Sequence, residues 1–73
     1  MKAITVKRDT LDDLKQRGMR LLARDLLSRG FVELLTLESD IATSQAYVTQ
    51  RGRVVHVSGS VALVDRYIRE INT

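Results

Sequence analysis

From Leu11 to Arg29 leucines recur at helical spacing, and the run stops at Gly30. No other segment constrains the chain as much. At about 100° per residue, Leu11, Leu14, Gly18, Leu21, Leu22 and Leu26 gather into one apolar arc. Asp9 and Thr10 offer an N-cap, and Asp12 and Asp13 fall in the first turn, where the helix dipole favours a carboxylate. Gly30 is the residue type preferred for the left-handed position after a helix. Phe31 stands where the accompanying apolar contact reaches back to Leu26. The spacing predicts one long helix over residues 11–29.

Strand patterns surround it. Residues 3–7 (Ala-Ile-Thr-Val-Lys) alternate and are rich in β-branched types, which predicts a short strand with Ile4 and Val6 on one face. Residues 31–37 (Phe-Val-Glu-Leu-Leu-Thr-Leu) are apolar on both faces and predict a second strand. Residues 38–44 read either as a connection or as a distorted continuation of that strand. Two alternating runs then flank Arg51-Gly52, the pattern of a hairpin with a two-residue turn. That register sets Val48 opposite Val55 and Ala46 opposite Val57, with Tyr47 and His56 paired on the other face. Ser58-Gly59-Ser60 supplies a turn and an N-cap for a closing helix with Val61, Val64, Ile68 and Ile71 on one side. Asp65–Arg69 and Arg66–Glu70 are i,i+4 pairs on its exposed side. The expected fold class is α+β: a small antiparallel sheet of three or four strands, both helices on one face, in the order β-α-β-β-(β)-α.

Composition narrows the function. At 73 residues the chain is expected to form a single domain over 1–73, with a thin core, since chains this short bury only about 60–65% of their unfolded surface. It has no cysteine, which excludes disulfides and thiolate metal sites. The lone His56 cannot furnish the three or four ligands of a zinc site, so neither metal nor cofactor is expected. No run approaches the roughly 20 apolar residues of a membrane span, and a cytoplasmic location is expected. Without proline, repeats or low-complexity tracts, no linker is visible. Twelve Lys and Arg against nine Asp and Glu leave a net charge of +3, compatible with an anionic partner.

The same residues argue against catalysis. His56 has no cysteine nucleophile and no motif that places a serine beside it. Ser58-Gly59-Ser60 opens a helix as a phosphate loop does, but it lacks the glycine spacing and lysine of a P-loop, and helix capping accounts for it. Binding is the better expectation. On a continuous helix Arg17, Arg20 and Arg24 fall within roughly 60° on the side opposite the apolar arc. Asp13 stands four residues before Arg17 and neutralises it. Arg51 and Arg53 mark the hairpin tip. Guanidinium forks at these five positions suit phosphate or carboxylate groups. Asp25 falls inside the apolar arc, where a charged group either snorkels at the margin, meets a basic partner or sits at a subunit interface.

Leu27 and Leu35 are candidate interface residues, because the apolar surface exceeds what two helices on one sheet face would cover. Tyr47 and His56, on the outer sheet face, join them. The expectation is a non-enzymatic interaction or regulatory module, a bacterial or phage-type accessory protein acting through protein partners and as a homo-oligomer. The alternative is a small nucleic-acid-binding protein that contacts phosphates through the arginines. Residues 53–64 (Arg-Val-Val-His-Val-Ser-Gly-Ser-Val-Ala-Leu-Val) resemble the strand–glycine–helix stretch of BON domains, small α/β modules of the bacterial envelope and lipid surfaces. The β-α-β-β-α order is similar to that of the DinI family of small bacterial SOS regulators, although the acidic C-terminal helix of that family is missing here. Neither resemblance carries a residue role to this chain.

Overall fold

The computed structural model describes residues 4–73. Its elements are β1 (Thr5–Thr10), α1 (Leu11–Gln16), α2 (Arg20–Ser28), β2 (Phe31–Glu38), β3 (Thr43–Thr49), β4 (Val54–Gly59) and α3 (Val61–Ile71). The fold is α+β, with a four-stranded antiparallel sheet whose spatial order, β1-β2-β3-β4, follows the chain. Residue 3, where the first strand was expected to begin, lies outside the described residues. Residues 38–44 resolve into the end of β2, a tight turn and the start of β3. In that turn the Ser39 N–H donates to the Ala42 carbonyl at 2.9 Å, and Ser39 Oγ accepts from the amides of Ile41 and Ala42.

The long helix expected over 11–29 is two helices. Gly18 adopts φ +84°, a left-handed conformation that ends α1. The Met19 amide donates to the Leu14 carbonyl and the Gly18 amide to the Lys15 carbonyl, the paired bonds of a Schellman stop. Thr10 starts α1, its Oγ1 accepting from the Asp13 amide at 3.3 Å. Gly30 ends α2 at φ +83°, as the sequence predicts. The closing helix also starts where expected, with Ser60 Oγ accepting from the Leu63 amide.

The helices cover opposite faces of the sheet, not one. Leu35, Leu37, Ala46, Leu63, Val64 and Tyr67 form one buried cluster, in which α3 sits on β2 and β3. Leu14, Ala23 and Leu26 form a second, with Leu11, Leu22, Phe31 and Tyr47 packed against them. Neighbouring strand residues point to opposite faces, so Ala46 and Tyr47 belong to different layers. The physical reason is β2 itself. A strand apolar on both sides is stabilised by packing on both, and the helical pair from α1 and α2 packs on the side that α3 leaves open, at Phe31 and Tyr47. The stripe of α3 that enters the core is Leu63, Val64 and Tyr67, while Val61 and Ile71 remain about half exposed.

The hairpin register also differs from expectation. The Thr49 amide donates to the Arg53 carbonyl at 2.9 Å, so the loop is Gln50-Arg51-Gly52, with Gly52 at φ +82°. Three-residue loops with a left-handed glycine in last place are a common hairpin type. Relative to a two-residue turn, β4 slips by one position over Val54, Val55 and His56, and these side chains change face. Val54 now opposes Val48, Val55 opposes Tyr47, and His56 opposes Ala46. A further irregularity between Gln45 and Ala46 leaves Val57 without a β3 partner, and the strand ends with Ser44 opposite Gly59.

Candidate functional site

The break at Gly18 decides which cations meet. Arg17 pairs with Asp9, not Asp13, at 3.2 Å and does not line the cleft that Arg20 and Arg24 share. It therefore leaves the stripe that the continuous helix predicted. Arg20, Arg24 and Leu27 stay together, successive turns along one side of α2. Because the chain folds back at Gly18, Lys15 on α1 comes beside them, and the four residues line one open cleft of about 560 Å³. Among the described residues no carboxylate lines it. Sequence reasoning missed Lys15 because on a straight helix it flanks the apolar arc. The left-handed glycine after a short leucine pair was the available signal.

Arg51 and Arg53 meet at the hairpin tip, where they line a second cleft of about 390 Å³ with Gly30, Thr49 and Gln50. The tip is held tightly. Arg53 donates its amide to Thr49 Oγ1 at 3.1 Å, the Gly52 amide reaches the Thr49 carbonyl, and the Gln50 amide reaches the Gly30 carbonyl. Gly30 in turn donates to the Leu27 carbonyl at 3.1 Å. At the end of α2, Leu27 lines the first cleft and Gly30, three residues on, lines the second. Among the described residues, Lys15, Arg20, Arg24, Arg51 and Arg53 form no ion pair, while Arg8, Arg17, Arg29 and Arg66 are paired with Glu33, Asp9, Asp25 and Glu70.

The other expected positions divide. Leu27 is 49% exposed, but Leu35 is fully buried under α3 and cannot be an interface residue of the folded chain. Its position on the Ala46 side of β2 puts it in the core. Tyr47 is half-buried, its ring 5.0 Å from that of Phe31, over which the Arg29 guanidinium lies at 5.4 Å. Tyr47 and His56 do not pair, since the register places them on opposite faces. His56 Nε2 lies 3.0 Å from the Gly59 carbonyl oxygen. Asp25, expected inside the apolar arc, is exposed and bridges to Arg29 one turn on, because α2 is phased independently of α1. Among the described residues no three His, Asp or Glu side chains gather as a metal site, and no helix is long and apolar enough to cross a membrane. Compared with protein-family models, curated proteins and solved structures the chain finds no match, so neither the BON-like stretch nor the SOS-regulator-like element order gains support, and the functional reading rests on this geometry.

Proposed function

We propose that the protein is a non-catalytic binding module that engages an anionic partner through the face built by α1, α2 and the hairpin tip. One observation carries this reading: Lys15, Arg20 and Arg24 converge on a single cleft with no carboxylate in its lining. Like charges held together cost free energy in the isolated protein, and an anion that binds there relieves the repulsion. His56, turned towards a backbone carbonyl, supports a structural role for the lone histidine. The cytoplasm is the compartment we assign, on the cysteine-free composition.

Titration with polyglutamate at low salt tests the reading. Wild type should bind, and K15Q/R20Q/R24Q should bind at least tenfold more weakly with its thermal midpoint not lowered. A wild type indifferent to every polyanion refutes it.

Self-association is a second proposal, favoured by the exposed apolar side chains Leu21 (77%) and Ile41 (89%). Sedimentation at micromolar concentration should show a species heavier than the 8.3 kDa chain. A clean monomer removes it.

A further inference from the structure

We infer that the anionic partner is the sugar–phosphate backbone of a nucleic-acid duplex, followed from the α1–α2 cleft to the hairpin tip; this rests on the binding-module reading above. Of the seven described cations that form no ion pair, five line the two clefts, while Lys7 and Arg69 lie outside both. The lining residues Leu27 and Gly30 stand three apart at the end of α2, so these five follow one another along that side. The nine residues of α2 span about 13 Å, the axial rise of roughly four phosphates on one strand. Arg51 lies within the turn and Arg53 closes it, and the turn is fixed by its own hydrogen bonds, so little backbone ordering entropy opposes their use.

The choice of duplex follows from where the aromatics are. Single strands are held largely by stacking of bases on exposed rings. Here Tyr67 is buried, and Phe31 and Tyr47 pack against each other beneath Arg29. α3 covers one sheet face, and α1 and α2 pack on Phe31 and Tyr47 of the other, so neither of these rings is laid open for splayed bases to stack on. What remains is phosphate contact, which positions a protein without reading sequence. An acidic protein partner is the weaker fit. Protein interfaces are anchored by buried aromatic or apolar groups, and among the described residues Leu27 is the sole apolar side chain lining either cleft.

The test is fluorescence anisotropy with a labelled mixed-sequence duplex of about 20 base pairs, as DNA and as RNA, across about 50–200 mM salt. If all five cations contact phosphates, log affinity falls against log salt with a slope of about −4.5 on DNA. R20Q/R24Q and R51Q/R53Q should each flatten that slope by about 1.8. R69Q, an exposed change on α3, should leave it unaltered. Circular dichroism checks that each variant remains folded. Flattening by R69Q equal to that per residue in R20Q/R24Q would mean diffuse attraction and overturns the assigned track. A single strand of the same sequence bound more tightly than the duplex overturns the duplex assignment. Duplexes ignored while polyglutamate still binds through Arg20 and Arg24 overturn the nucleic-acid partner and leave the binding module standing. Failure of both probes at low salt overturns both.

Discussion

Replacing Gly59 by alanine should destabilise the protein far more than the same change at Gly18, although both residues have nearly the same backbone. Gly18 has φ +84° and Gly59 φ +83°, so each alanine pays the left-handed penalty of about 1–2 kcal/mol. The surroundings differ. A Cβ at Gly18 meets nothing within 4 Å, whereas at Gly59 it meets the Thr43 carbonyl oxygen and comes within 2.7 Å of Ser44 Cα. Both obstacles are backbone, held in the β3–β4 pairing, and Ser44 is itself buried with its Oγ donating to the Ser58 carbonyl at 2.8 Å. Overpacking of this kind adds about 1–3 kcal/mol. Gly59→Ala should therefore cost about 2–5 kcal/mol in total. A domain of this size has a stability of roughly 4–11 kcal/mol, so the variant approaches the threshold of folding. Urea denaturation followed by circular dichroism measures both variants against wild type, and equal slopes would license direct comparison of their free energies. If the two alanines cost the same within about 0.5 kcal/mol, the close approach of β3 to the end of β4 is wrong.

Leu35→Ala should cost about 2–5 kcal/mol and Leu27→Ala well under 1, as urea midpoints will show; near-equality would contradict the layer assignment of β2. Tyr67→Phe removes the 2.6 Å bond from the Arg8 guanidinium to the Tyr67 hydroxyl, which ties β1 to α3, and should cost about 0.5–1.5 kcal/mol in the same assay. Ser60→Ala deletes the cap of α3 and should cost about 0.5–2 kcal/mol; a neutral result would mean that the Leu63 amide is satisfied by water. His56→Ala should leave polyanion binding within about twofold by anisotropy, because its ring lies on β4 and lines neither cationic cleft.

Much of this architecture was legible in local patterns. Thr10 and Ser60 as caps, Gly30 as a stop, and the alternating strands all follow from short-range rules, and short-range rules set them here. What escaped were decisions that depend on how distant segments meet. Gly18 falls in the middle of a leucine arc that reads equally well as one helix or two. Whether it bends is decided by Leu14, Ala23 and Leu26 sharing one pocket against the sheet. The one-residue slip at the hairpin came from Arg53 pairing with Thr49, a choice between two turn types of similar quality. Phe31-Val-Glu-Leu-Leu-Thr-Leu carried the clearest missed message: its two apolar faces called for a helix on each side, not for an interface. The same error promoted Leu35 to a contact residue. For the basic site, Arg20, Arg24, Arg51 and Arg53 were visible as types and positions. The loss of Arg17 and the gain of Lys15 required the bend.

Strand order that matches chain order has a consequence for how the molecule assembles. The β2–β3 and β3–β4 pairs close across loops of only a few residues, so the entropy lost in forming them is small and their contacts are local. β1 is different, since it reaches β2 only after the whole of α1 and α2 has been spanned. A three-stranded meander from residues 31–59 is then the natural early scaffold, with β1 arriving as the helical pair docks. Mutations in β3 should slow folding, and mutations in β1 should chiefly speed unfolding. The central position of β3 thus makes it the element on which the order of assembly turns.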